Sequence, residues 1–453
     1  MNFDEVKTLF FVGIGGIGMS GLARYFKQAG KKIYGYDRVS TSLTKTLEAE
    51  GMTICYTEDL TCFPEDTDLI IRTPAVPGQN VFLNKALESG IPVKKRSEVL
   101  GMISQSYRSV AVAGTHGKTT TSAMMTWLLR DCGVKCSAFL GGIAVNFQSN
   151  FLYGRSDVVV LEADEYDRSF LQLSPDWAII TSMDADHLDI YGSHGSVQNA
   201  YIAFADAIKP GGTLVIHESI ANHIAREDIR VVTYGFDATS TYRIEGLGVA
   251  GDSMQFDLVV RQAERYAFSL PYPGQHNVEN ATAALAVSME MGLSYPDLQS
   301  ALRGFKGIKR RFEWIGKTDD VVIIDDYAHH PTEIQAAISA ARLFYPGKRL
   351  TGVFQPHLYS RTRDFYSEFA GALDKLDACL LVELYPAREE PMEGVSSQMI
   401  LDAMTLPDRS LCSKEEVTWR LLQMPLEVVL IMGAGDIDTL IPAIKEQVLN
   451  EHK

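Results

Sequence analysis

This chain lacks an excess of positive charge. Its 453 residues carry a formal net charge of −15, which repels nucleic acid and leaves only local cationic pockets for smaller phosphates. It lacks any apolar run of the ~18 residues that a membrane span needs. Short-period repeats and low-complexity tracts are also missing. The cysteines are few and scattered: Cys55, Cys62, Cys132, Cys136, Cys379 and Cys412, with no C-x-x-C pair. Cys132 and Cys136 stand four apart, but no His or Cys pair lies close by in sequence to complete a zinc site. Free buried thiols in a reducing cytosol are therefore expected. The acidic opening MNFDEVK has none of the character of a signal peptide and soon runs into a glycine loop, so a cytoplasmic protein is expected. What is left is a globular chain, 46% hydrophobic and 22% charged, long enough for several domains and a large core.

The most informative stretch is Ser109 to Thr121, SVAVAGTHGKTTT. The apolar run Val110 to Ala113 reads as a buried strand. It breaks into Gly114-Thr115-His116-Gly117-Lys118-Thr119-Thr120, and a helical pattern follows from Ser122. Strand, glycine loop, Lys-Thr and helix form a phosphate cradle. Backbone N–H groups and the helix N-terminus hold phosphate oxygens, Lys118 neutralises the outer phosphates, and Thr119 can ligate Mg²⁺. A full signature asks for glycine at position 112, where valine stands. The alternative is a glycine turn that merely precedes Lys-Thr.

A second glycine loop comes first in the chain. Thr8 to Val12 reads as a strand, followed by Gly13-Ile14-Gly15-Gly16-Ile17-Gly18, a helix, and a strand ending on Asp37. This βαβ unit fits a dinucleotide, with Asp37 on a ribose hydroxyl, or a pyrophosphate-bearing substrate on the same helix N-terminus. A tight turn without ligand is the third reading. Alternation of strands and helices continues to the end, which predicts mostly parallel sheets. Residues 1–106, 107–306 and 307–453 are expected to form three α/β domains: a Rossmann-like N-terminal domain, a central P-loop ATPase domain and a C-terminal Rossmann-like domain.

Several loops at predicted strand ends carry polar clusters, where ligands sit in doubly wound sheets. Glu162-Ala163-Asp164-Glu165-Tyr166-Asp167 follows one strand, and Glu162, nearest its end, is placed to hold Mg²⁺ on ATP phosphates; a solvated acidic loop is the alternative. Asp184-Ala185-Asp186-His187-Leu188-Asp189 follows the next, and His187 among three acids suits Mg²⁺ or Mn²⁺. Lys309-Arg310-Arg311 is either a surface face or a clamp on a γ-phosphate. His329 and His330 are adjacent, so they point different ways and suit polar contact rather than one metal. Arg361 and Arg363 either bind a carboxylate or solvate a helix start.

Together these segments resemble the Mur ligases, the ATP-dependent amino-acid ligases of peptidoglycan synthesis. The motifs GIGGIGMSG (13–21), GTHGKTTT (114–121), EADEYDRSFL (162–171), DADHLD (184–189), GQHNVENA (274–281), RRFE (310–313), DDYAHHPTE (325–333) and FQPHLYSRTRD (354–364) follow the family's order and cover essentially the whole chain. Valine at position 112 is normal for that family. The resemblance implies ATP- and Mg²⁺-dependent joining of L-alanine to the lactyl carboxylate of UDP-N-acetylmuramate, through an acyl phosphate. It implies that Gly15, Gly16, Ile17, Gly18 and Asp37 hold the UDP-sugar. Lys118, with Gly114 to Thr120, would hold the ATP phosphates, and Thr119, Glu162 and His187 would ligate Mg²⁺. Asn280 and Tyr327 would lie near the adenine and Arg311 near the γ-phosphate, while His329, His357 and Arg361 would face the substrates. The expected partners are these small molecules, with no nucleic acid and no membrane, in a monomer or weak homodimer. Two departures stand out. Many relatives have arginine where this chain has Leu358. No lysine occurs between His187 and Lys209, where sister ligases carry a carbamylated one, and its absence fits the alanine-adding branch. Rival readings are a recycling ligase that adds a whole tripeptide, a nicotinamide oxidoreductase and a non-catalytic nucleotide sensor.

Overall fold

The computed structural model describes residues 3–73, 76, 79–184, 188–387 and 389–451. Three sheets follow one another along the chain. The first has β1 (Thr8–Val12), β2 (Lys32–Tyr36), β3 (Thr53–Cys55), β4 (Leu69–Arg72) and β5 (Val93–Lys95), in the order β3-β2-β1-β4-β5. All its pairings are parallel. Every residue of β1 is buried, because helices cover both faces of a parallel sheet and demand an unbroken apolar run.

The second sheet has ten strands: β6 (Arg108–Ala113), β7 (Ser137–Ala144), β8 (Ser149–Leu152), β9 (Val158–Glu162), β10 (Trp177–Ile180), β11 (Thr213–His217), β12 (Arg230–Gly235), β13 (Tyr242–Ala250), β14 (Ser253–Val260) and β15 (Glu264–Leu270). Their order is β15-β14-β13-β12-β11-β10-β6-β9-β7-β8. Central β6 pairs in parallel with β9 and β10. The third sheet runs β16-β17-β21-β18-β19-β20, from β16 (Glu313–Lys317), β17 (Val322–Asp326), β18 (Leu350–Phe354), β19 (Ala378–Val382), β20 (Arg409–Cys412) and β21 (Val428–Met432). Only its edge pair β16–β17 is antiparallel.

By compactness the chain divides into two units. The first is Met1–Leu247 with Phe256–Ser269 and His276–Phe305; the second is Lys306–Lys453 with Gly248–Gln255 and Leu270–Gln275. Within the first unit, the helix Ile17–Gln28 lies against β7 and β8. Arg24, 8% exposed, donates to Glu50 at 2.8 Å and to the Asn150 side chain. Asn150 in turn donates to the Ile17 carbonyl at 2.5 Å and to Ser20 Oγ at 3.0 Å. Tyr25 packs on Phe139 at 5.6 Å between ring centroids. A buried guanidinium is tolerated because its donors are met on both sides of the seam.

Cys55 and Cys62 form a disulfide with a Cα–Cα distance of 6.5 Å. This corrects the expectation that all six cysteines are free. The chain reverses through a short helical turn after Asp59, whose carbonyl accepts from the Cys62 N–H at 3.3 Å, and Cys62 returns to the end of β3. The remaining four, Cys132, Cys136, Cys379 and Cys412, are free. Among the described residues, no helix is long and apolar enough to cross a membrane.

Candidate active site

The phosphate loop has the expected scaffold. β6 ends at Ala113, and the helix Lys118–Asp131 begins directly after Gly117. Val112 is still strand, fully buried and in register with Glu162, so the cradle opens only at Gly114. Gly114 (φ +135) and Gly117 (φ +79) take backbone conformations that L side chains rarely adopt. Below the loop, Thr115 Oγ1 donates to the Asp184 carbonyl at 3.0 Å, and the His116 N–H donates to Ser182 Oγ at 3.1 Å. Thr181 Oγ1 donates to the His116 carbonyl at 2.5 Å. The loop is thus braced on the end of β10.

Lys118 and Thr119 meet the acidic loop after β9. Lys118 Nζ lies 2.8 Å from Glu165. Thr119 Oγ1 donates to Glu162 Oε1 at 2.8 Å. The other Glu162 oxygen accepts from the Gly141 N–H at 2.7 Å and from Ser122 Oγ at 3.3 Å. Hydroxyl and carboxylate oxygens at this spacing suit a hard divalent cation. No group of three His, Cys, Asp or Glu ligands forms among the described residues, and His187, the third expected ligand, lies outside them. Asn280, 7% exposed, sits directly behind Gly117, where it accepts from Thr121 Oγ1 at 3.1 Å.

Next to Glu162 opens a cavity of about 380 Å³. Gly16, Ile17 and Gly18 form one wall; Arg96, Glu162, Asp164 and Tyr166 form others. Arg96 reaches to 3.7 Å from Asp164, and its guanidinium lies so close to Gly18 that a Cβ there would fall 2.8 Å from it. A helix N-terminus and a guanidinium facing one cavity suit an anionic group, beside the Glu162 and Asp164 carboxylates that also line it. Asp37 lies beside the glycine loop. Its Oδ2 accepts from the Gly15 N–H at 2.8 Å, so it holds the glycine loop, and neither residue lines the cavity. Arg96 went unnoticed in the sequence, although the basic run Lys94-Lys95-Arg96 at the end of β5 was its signal.

In the second unit, Arg311 and Tyr327 are brought together, with the guanidinium 5.6 Å from the ring centre. His329, His357 and Arg361 also converge. The two histidine rings are 6.2 Å apart and His357 Nδ1 is 3.5 Å from the Arg361 guanidinium. His357 stacks on Tyr385, which sequence reasoning did not single out, at 5.9 Å and 14°. Leu358 has φ +73 and caps the helix Tyr359–Leu373 that carries Arg361. The helix Pro331–Phe344 starts with Pro at N1 and a capping box between His330 and Glu333. Burial lowers the His329 pKa, opposed by Glu333, which sits 3.2 Å away.

Asp325, at the end of β17, is fully buried, and neither of its oxygens accepts a hydrogen bond among the described residues. Burial pushes its carboxyl up to about 7, with Arg310 opposing and Asp326 adding to the shift. The Arg310 Nε is 3.4 Å away. Because the folded state keeps this proton at pH values where the unfolded chain has released it, the contribution of Asp325 to stability is full below about pH 4 and falls as pH rises towards 7. Denaturant titrations of wild type and Asp325→Asn across this range are expected to diverge by up to about 1.4 kcal/mol per pH unit, the variant gaining as pH rises. Parallel curves would contradict the assignment.

Comparison with known proteins gives three consecutive matches. Residues 8–108 match the Mur ligase family catalytic domain, 112–288 the Mur ligase middle domain, and 310–435 the Mur ligase glutamate ligase domain. A UDP-N-acetylmuramate–L-alanine ligase of Cytophaga hutchinsonii is 44% identical over 98% of this chain and 97% of its own length. One from Christiangramia forsetii is 43% identical over 99% of each. The crystal structure of UDP-N-acetylmuramate-alanine ligase from Thermotoga maritima superposes with a TM-score of 0.85 at 28% identity, covering 99% of this chain and 100% of that one.

Proposed function

The chain belongs to the Mur ligase family, and on that premise we propose that it joins L-alanine to the lactyl carboxylate of UDP-N-acetylmuramate at the expense of ATP. The observation that carries this reading is a cavity lined both by the first glycine loop and by the carboxylate that holds the ATP loop. Gly16 to Gly18 form one wall, Arg96 lies between Gly18 and Asp164, and Glu162, which holds Thr119 of the ATP loop, lines the same cavity. A pyrophosphate-bearing substrate and the triphosphate that activates it are thereby served from adjoining walls.

A carboxylate does not react with an amine in water, so it must first be activated. The lactyl carboxylate attacks the γ-phosphorus and releases ADP, giving an acyl phosphate. Lys118 spreads the charge that develops on the outer phosphates, and the same reading assigns Arg311 and Tyr327 to the nucleotide. Thr119 and Glu162, with His187, would hold Mg²⁺, which supplies further neutralisation of phosphate charge when bound. The neutral amine of L-alanine then attacks the acyl carbon, and the tetrahedral intermediate collapses with loss of phosphate. His357 and Arg361, two charged or polar groups on one face, receive the alanine carboxylate. The functional segments are 1–106 for the UDP-sugar, 107–306 for ATP and 307–453 for the amino acid and further contacts to the nucleotide.

Phosphate release measured with ATP, Mg²⁺ and UDP-N-acetylmuramate tests the reading. Release is expected with L-alanine and not with the tripeptide or without an amine. Release with tripeptide alone would move the protein to the recycling activity; none with any amine would remove the ligase reading altogether.

A further inference from the structure

We propose that Glu165 is an internal stand-in for phosphate, its carboxylate occupying the Lys118 ammonium until ATP displaces it. An ammonium has three donors. Lys118 Nζ lies 2.9 Å from the Gly114 carbonyl, 3.2 Å from the Thr115 carbonyl and 2.8 Å from Glu165 Oε1. The lysine is therefore folded back over its own loop with every donor engaged. Glu165 is 2% exposed, and its carbonyl is pinned by the Arg168 N–H at 2.9 Å and by Tyr191 Oη at 2.6 Å. With the backbone fixed, the carboxylate has little room to withdraw. An outer phosphate that comes to Lys118 thus meets a second anion on the same cation, in a poorly solvated place where like charges repel strongly. Glu165 is a positioning residue: it keeps the lysine ordered over its loop and lowers the affinity for ATP.

The inference rests on the reading that ATP occupies this loop. Calorimetric titration of the whole chain with MgATP and with AMP, without sugar or alanine, tests it. Glu165→Gln keeps the shape and removes the charge. It is expected to bind ATP about tenfold more tightly, while AMP, which has no outer phosphate, binds as before. ATP affinity that is unchanged or weaker, or AMP affinity that rises in step, overturns the inference. A purely structural role for Glu165 would weaken ATP binding. Should Glu165→Gln fail to fold, Glu165→Asp draws the charge back by one methylene and is likewise expected to tighten ATP; unchanged or weaker binding overturns the inference there too. Wild type that binds no ATP overturns the nucleotide reading itself. Wild type that binds ATP, beside a Gln variant that is no tighter, overturns only the role given to Glu165.

Discussion

Lys118→Ala is expected to lower alanine-dependent phosphate release by about a thousandfold or more, with binding of UDP-N-acetylmuramate retained. The size follows from the job assigned to this ammonium. A cation aimed at charge that develops in phosphoryl transfer contributes about 10³-fold or more to the rate. The retention follows from the geometry. The sugar nucleotide is given to Gly16, Gly18 and Arg96, and Lys118 does not line their cavity. Loss of the ammonium also strips a buried carboxylate of a partner at 2.8 Å, which costs stability. A drop of several degrees in melting temperature is expected beside the kinetic loss. Equilibrium binding of the sugar nucleotide, measured separately from turnover, decides the matter: if it disappears together with turnover, the division of labour between the two loops is wrong.

Gly114→Ala is expected to be nearly as damaging, by a different route. At φ +135 an L residue is strained wherever it stands, and here the added Cβ would fall on Thr181 Oγ1 and 3.0 Å from the Thr181 and Ser182 backbone nitrogens. Backbone at the end of a central strand does not give way as a flexible side chain would. The strain alone is worth about 1–3 kcal/mol, and the clash tilts the loop that cradles phosphate. ATP affinity is expected to fall at least about tenfold, which is 1.4 kcal/mol. Gly133→Ala is the control. It also has positive φ, +90, but nothing stands within 4 Å of its new Cβ, so it should lose some stability and keep its nucleotide affinity. Equal affinity in both variants would show that the brace on β10 is not what shapes the loop.

The legible parts of this chain were those whose signal is local. β1, β6 and β10 are nearly continuous apolar runs because both faces of their sheets are covered. Lys118, Thr119 and Glu162 follow such strands directly, so their meeting could be foreseen from position alone. The β7–β8 hairpin was not. SAFLGGIA carries two glycines and no tight-turn dipeptide, and its place is fixed by the helix Ile17–Gln28, more than a hundred residues earlier. β16 was missed because its residues are only half-buried at a sheet edge. Arg96 and Tyr385 escaped for a similar reason: each gains its meaning from a neighbour distant in sequence. Asp37 was legible as the acid that ends the second strand, but its hold on the Gly15 N–H, 22 residues earlier, was not.

The seam sealed by Arg24, Glu50 and Asn150 has a metrical consequence. Asn150 grips the first turn of the helix that starts at Ile17, while β8 is tied through β7 to β9, the strand that delivers Glu162. The glycine wall and the acidic wall of the cavity are therefore mounted on one continuous framework. Their spacing is set when the polypeptide folds, by the same hydrogen bonds that close the seam.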